Sequence, residues 1–159
     1  SSPEAVKSEI ATFFEVFPNG LIFGNEYLGE GYDTVLVGRL DDGPIDVGEI
    51  NERLSNPEYE TVRYSLSEIG FPSAWELYGS YAGRAEEMTE YLRDAAINYD
   101  RNLRLQYLAG LGLNRRAAAS IYLDITRNRR YPEGLFTGPE PQLQYLRSIV
   151  GSWAGVGSP

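Results

Sequence analysis

Only two segments of this chain have strand character, and that shortage constrains its fold more than any other feature. Leu21-Ile22-Phe23 reads as a short buried strand, and Asp33 to Leu40 reads as a second, carried by Thr34, Val35, Leu36 and Val37. Two strands neither bury both of their faces nor hold together alone. They are therefore expected to extend a sheet supplied by other residues of a larger protein, or to pair with another copy. Between them, Glu26-Tyr27-Leu28-Gly29-Glu30-Gly31-Tyr32 reads as a long, wide hairpin loop. Its glycine spacing fits neither the dinucleotide fingerprint nor the phosphate-binding P-loop.

The rest of the chain carries helical signals. Pro3 to Phe17 is expected to be a helix, with Ser2 as cap and Glu4 at the positive end of its dipole. Val6, Ile10, Phe13, Phe14 and Phe17 share one face of it. Pro18-Asn19-Gly20 ends it. Asp46 and Glu49 have capping-box spacing for a helix to about Leu54. Asn56-Pro57-Glu58 restarts a helix bearing Tyr59, Val62, Leu66 and Ile69, which Gly70 and Pro72 close. Ser73 caps a short helix through Tyr78, and further helices are expected over Arg84–Arg93, Arg101–Leu111, Arg115–Asn128 and Pro139–Trp153.

The polar break Asp41-Asp42-Gly43-Pro44 divides residues 1–40 from a helical lobe over 41–159. The expected fold class is thus α+β, predominantly helical: one helix and a β-hairpin, followed by a lobe of short α-helices. A length of 159 residues suits one domain or a small domain with an appended lobe. No apolar run approaches the roughly 20 residues that span a bilayer, so no direct membrane insertion is expected.

Charge and residue content exclude several chemistries. With 14 basic against 23 acidic residues, a net charge of −9 opposes binding to nucleic-acid backbones. It would suit amines, although net charge speaks mainly to solubility. The absence of Cys removes thiolate nucleophiles and thiolate metal sites. The absence of His removes the usual partner of a serine nucleophile and the commonest transition-metal ligand. No metal site and no complete catalytic set is expected.

Three groups remain to be weighed. The acidic clusters Asp41-Asp42, Glu86-Glu87 and Asp94 could hold a cation, but neighbours in sequence do not thereby converge, and solvated carboxylates are the commoner outcome. The stretch around Asn98, Asp100, Arg101, Asn102 and Arg104 is dense in directional hydrogen-bonding groups. It reads first as a polar junction between helices, with Asp100 capping the one that follows. Among the 12 tyrosines, Tyr27 and Tyr32 flank the hairpin loop, where a phenol could line a cleft.

Several of these segments resemble one family. The run Val6-Lys7-Ser8-Glu9-Ile10 through Phe13-Phe14-Glu15-Val16-Phe17-Pro18 is similar to the last helix of the spermidine synthase (polyamine aminopropyltransferase) fold. Leu21-Ile22-Phe23-Gly24-Asn25 and Gly31-Tyr32-Asp33-Thr34-Val35-Leu36-Val37-Gly38 are similar to its final antiparallel hairpin. Asp100 to Gly110 resembles part of the C-terminal extension of bacterial spermidine synthase-like proteins, some of which are fused to a membrane transporter-like region. The resemblance implies that residues 1–40 are the C-terminal edge of a Rossmann-like aminopropyltransferase sheet and 41–159 a helical extension. It implies a parent that uses decarboxylated S-adenosylmethionine and a polyamine acceptor, with the nucleotide loop, the ribose-binding acid and the catalytic Asp upstream. This chain would then bind no cofactor and be catalytically incomplete alone. Its partner would be the upstream catalytic domain or another copy, and its location the cytoplasm, tethered to the membrane in transporter-fused members. The family presents a Tyr-Pro pair to the polyamine from the hairpin loop. Here the counterpart is Tyr27-Leu28, without the proline, so Tyr27 is the one acceptor contact carried over. The alternative is a non-enzymatic interaction or dimerisation module.

Overall fold

The computed structural model describes residues 2–27, 30–109, 115–127 and 129–152. Helix and strand are mixed, with helix in the majority, as the α+β expectation has it. The elements in chain order are α1 (Pro3–Val16), β1 (Leu21–Tyr27), β2 (Glu30–Val37), β3 (Ile45–Asp46), α2 (Val47–Ser55), α3 (Glu60–Glu68), α4 (Ala74–Gly79), β4 (Tyr81–Arg84), α5 (Arg104–Ala109), α6 (Arg115–Thr126), β5 (Phe136–Thr137) and α7 (Glu140–Ser152). None of these helices is long and apolar enough to cross a membrane.

The chain forms two compact units, and each is assembled from two separate stretches. The first takes residues 1–42 and 82–128, the second 43–81 and 129–159. The polar break after Leu40 coincides with the first of three crossings between them, whereas the sequence suggests a single boundary there.

In the first unit β1 and β2 form an antiparallel hairpin whose register runs from Leu21↔Val37 to Tyr27↔Glu30, with an irregularity at Asn25/Glu26. The expected wide loop is therefore corrected: ladder pairing carries both strands past the bulge, and only Leu28 and Gly29, outside the described residues, separate them. The shortage of strands is also corrected. Tyr81–Arg84 lies along the other side of β1, giving the order β2-β1-β4. A central β1 explains why Leu21 and Ile22 are almost completely buried. Ile22 meets Ile10 and Phe14 of α1, Ala82, Met88, and Ile121 and Ile125 of α6 in one core cluster. Leu36 packs at its margin, while Val35 and Val37 on the opposite face of β2 stay exposed.

Recruitment of β4 also removes the helix expected over Arg84–Arg93. Residues 85–94 are turns, tied by Met88 N–H to the Arg84 and Ala85 carbonyls and by Leu92 N–H to that of Met88. Glu86, Glu87 and Met88 favour helix intrinsically, but a strand ending at Arg84 and a Met88 side chain drawn into the core override that preference.

The second unit has its own core. Phe136 on β5 is met edge-on by Tyr78, Tyr81 and Tyr131, at 5.6, 5.8 and 6.1 Å between ring centres. Val47, Ala74, Leu146 and Val150 are fully buried. Parallel pairing of β3 with β5, Ile45↔Phe136 and Asp46↔Thr137, was not legible in sequence. Beyond it Gly138 has φ +152, and an added Cβ would stand 3.0 Å from the Trp75 ring and 3.4 Å from the Gly48 nitrogen. Glycine is required there by close approach and by backbone conformation together.

The helix starts follow the sequence signals closely. Ser2 accepts from Ala5 N–H (3.2 Å), Asp46 from Glu49 N–H (2.9 Å) and Ser73 from Trp75 N–H (3.1 Å). Helix α3 departs from expectation in another way. It forms after a 3-10 turn at Pro57–Tyr59, yet buries none of its residues.

Candidate functional site

The densest set of polar contacts in the first unit joins α1 to residues 94–105. It begins with Ser8, which lies on α1 beside the apolar face and is fully buried. Its hydroxyl donates to the Ala96 carbonyl at 2.6 Å, across 88 residues of sequence. One turn on, the Thr12 hydroxyl donates to the Ser8 carbonyl (2.6 Å) and accepts from the Asn98 backbone N–H (2.8 Å). Two hydroxyls at i and i+4 thus clip the segment 96–98 along one helix face.

From there the bracing continues outward. The Asn98 side-chain oxygen accepts from Leu105 N–H at 2.9 Å, in the first turn of α5. Asn102 bridges the same bend, its oxygen accepting from Tyr99 N–H and its amide donating to the Ile97 carbonyl, both at 2.9 Å. These bonds hold Leu103 at φ +45, a left-handed conformation that costs a branched side chain strain. The strained residue explains why α5 starts at Arg104 rather than at Arg101. It also shifts the capping role: Asn98 supplies the acceptor that the sequence assigns to Asp100, which stands exposed. Arg101 places its guanidinium 5.9 Å from the Tyr99 ring centre. The Arg104 side chain lies outside the described residues.

A second cluster sits at the same edge of α1. Lys7 Nζ lies 2.6 Å from the Asp94 carboxylate and 5.1 Å from the Tyr91 ring centre. Hydrogen bonding from the Lys7 ammonium holds the Asp94 carboxyl below its ordinary range. Burial, followed by the negative charges of Asp124 and Asp94, pushes the Tyr91 phenol up to about 12. A carboxylate and an aromatic face are the groups that suit an ammonium ion, and here the chain's own lysine occupies them.

Of the other acidic candidates, Asp41, Glu86 and Glu87 are paired with neighbouring arginines. Asp41 contacts Arg39 at 3.2 Å, and Arg84 contacts both Glu86 and Glu87, the latter at 3.3 Å. Among the described residues no three Asp or Glu side chains are placed to hold a metal ion. Tyr27 closes the hairpin opposite Glu30, but its side chain, like that of Tyr32, lies outside the described residues.

In the second unit Glu76 on α4 receives hydrogen bonds from the Ser73 hydroxyl and from Tyr145 on α7, the latter at 3.1 Å. Burial first, then this bond to a carboxylate, raises the Tyr145 phenol above its ordinary value. Arg147 reaches Glu133 (3.4 Å) and Glu140 (3.3 Å) and stands 4.9 Å from the Tyr131 ring centre. These groups fasten α7 to its surroundings.

Ser8, Thr12 and Glu76 are the residues that sequence reasoning overlooked. The available signal was the polar pair Ser8/Thr12 at helical spacing beside an apolar stripe, which one helix seen alone does not distinguish from a solvated edge. Comparison with protein-family models, with curated proteins and with solved structures returns no match for this chain.

Proposed function

We propose that this chain is the C-terminal module of a spermidine synthase-like protein and contributes a sheet edge and a helical extension rather than the reacting groups. In that reading the parent transfers an aminopropyl group from decarboxylated S-adenosylmethionine to a polyamine. The observation that carries it is the position of β2. Among the described residues it is the outer strand of the sheet, and its Val35 and Val37 are 51% and 40% exposed. A strand edge beside an uncovered apolar face is what remains when a neighbouring part of a sheet is supplied from elsewhere. The order helix, then antiparallel hairpin, agrees with the end of the family's catalytic domain. Tyr27, on the last position of β1, would be the acceptor contact.

The test is to express the parent with the sequence that precedes Ser1 and incubate it with putrescine and decarboxylated S-adenosylmethionine. Spermidine and methylthioadenosine should form together with the parent and not with residues 1–159 alone. A folded parent that produces neither, or an upstream sequence without a nucleotide loop and an acidic catalytic residue, would overturn the reading.

The same open edge also favours a second reading, a non-enzymatic dimerisation module in which β2 pairs with β2 of another copy. Val35→Lys would then abolish association measured by light scattering, and a dimer unaffected by it would refute that arrangement.

A further inference from the structure

Within the second unit the chain leaves α2 and returns to α4 at nearly the same place. The Asn51 side-chain oxygen on α2 accepts from Ala74 N–H at the start of α4, at 3.3 Å and 23 residues further on. Both sides of this neck are anchored: Val47 and Ala74 are completely buried, and Trp75 almost so. The excursion beyond it is different. Leu66 and Phe71 are half-buried, and every other residue of 57–72 is exposed, Tyr64 to 63%. Its hydrogen bonds are local as well. Asn56 caps the lead-in turn at Glu58 N–H (3.0 Å), the Ser67 hydroxyl donates to the Tyr64 carbonyl (2.7 Å), and Phe71 N–H donates to that of Leu66 (2.9 Å). Among the described residues, no hydrogen bond or ion pair ties 57–72 to any residue outside 56–72.

A helix of nine residues is too short to persist in water unaided, and Thr61, Val62, Tyr64, Ser65 and Ser67 are weak helix formers. Burial of an apolar face is what ordinarily holds so short a helix, and α3 buries none of its residues. We infer that residues 57–72 are a flap that opens by melting of α3 while α2, α4 and both cores stay folded. The bond between Ala74 N–H and Asn51 joins the two ends of the excursion without involving it, so the neck stays closed when the flap opens. The limits of melting are set by the backbone. Asn56 leaves α2 in an extended conformation, and Gly70, at φ +92, turns the chain out of α3 just before Pro72. Opening releases the half-covered Leu66 and Phe71 and takes no buried side chain from either core. The flap is thus a conformational device, a segment whose order changes without disturbing the unit that carries it.

Amide hydrogen exchange read by mass spectrometry on residues 1–159 tests the inference by comparing α3 with α7 of the same unit. Amides of residues 64–68 should exchange at least about 100-fold faster than those of 146–150. Their rate should also be nearly independent of urea below the unfolding transition, because a local opening exposes little new surface. Ser65→Pro removes a helical N–H from the middle of α3. It should erase the remaining protection there and leave the urea midpoint of cooperative unfolding unchanged. Gln144→Pro, the same change at an exposed position of α7, should lower that midpoint or abolish folding, since Leu143 and Leu146 beside it are buried. Protection of α3 equal to that of α7, or lost with it on the same urea dependence, overturns the inference. So does a Ser65→Pro chain that fails to fold or loses as much stability as Gln144→Pro, which would make α3 an integral part of its unit.

Discussion

Removing the Ser8 hydroxyl is the most direct way to ask whether the polar clip holds the first unit together. Ser8→Ala deletes one donor and leaves the Ala96 carbonyl without the 2.6 Å bond it receives inside the fold. Stranding a buried acceptor costs about 1–3 kcal/mol. Alanine recovers about 0.5 kcal/mol through its better helix propensity. The net loss should be about 0.5–2.5 kcal/mol. Thr12→Val tests the adjoining bond with almost no change of shape: it strands the Asn98 N–H that Thr12 accepts at 2.8 Å, again costing about 1–2 kcal/mol. Both hydroxyls restrain the same three residues, so the double variant should lose less than the sum, by about 0.5 kcal/mol or more. Urea unfolding followed by far-ultraviolet circular dichroism reads the effect. At a slope of about 1.5–3 kcal/mol per molar, the midpoint for Ser8→Ala should fall by roughly 0.2–1.7 M. Ser55→Ala is the control: that hydroxyl makes the same kind of backward bond to the Asn51 carbonyl (2.8 Å) on an exposed surface and should leave the midpoint unchanged. A Ser8→Ala midpoint that moves no further than the Ser55→Ala control would refute the argument that this bond braces the unit.

Three further outcomes are expected. Asp46→Ala removes the cap of α2 and should lower stability by about 1 kcal/mol in the same unfolding assay, with Asp46→Asn retaining most of it. Gly138→Ala forces a side chain into an unfavourable backbone region against the Trp75 ring and should cost about 1–3 kcal/mol, read as a lower thermal midpoint. Tyr91 ionises in the fold near 12 instead of 10, so its neutral form stabilises the native state fully below pH 10, and that contribution is lost as pH rises through about 12. Tyr91→Phe should remove a step near pH 12 from the phenolate absorbance titration and flatten the decline of stability above pH 10; a titration unchanged near pH 12 would refute it.

Local signals carried much of the secondary structure. Ser2, Asp46 and Ser73 cap where their side chains and the following apolar spacing indicate, because a cap acts within three residues. Tyr81-Ala82-Gly83-Arg84 gave no such signal. Two of its four residues disfavour strand, and it becomes one only by lying along β1. The same holds for Ile45 with Phe136, whose pairing depends on contact across the sequence. Asn98 and Asn102 were recognisable as junction residues by type, but the capping of α5 by Asn98 spans seven positions around a strained Leu103 and follows no short motif. The stripe Tyr59, Val62, Leu66 and Ile69 was fully readable as amphipathic, yet periodicity does not reveal whether anything covers it. As for chemistry, pairing of Asp41, Glu86, Glu87 and Asp94 with nearby cations required coordinates.

The interleaving of the two units bears on how this chain can be made and cut. A ribosome releases residues in order, but the first unit lacks its closing stretch until 128 has emerged, and the second until the residues after 129 follow. Lys7 must wait for Asp94 and Ile45 for the segment around Leu135. Such distant pairings slow folding and leave early apolar segments in need of shelter during synthesis. A single protease cut or a truncation near residue 81 would separate the two stretches of both units at once. Isolating either unit would therefore require cutting out an internal stretch and joining its flanks, rather than trimming the chain from one end.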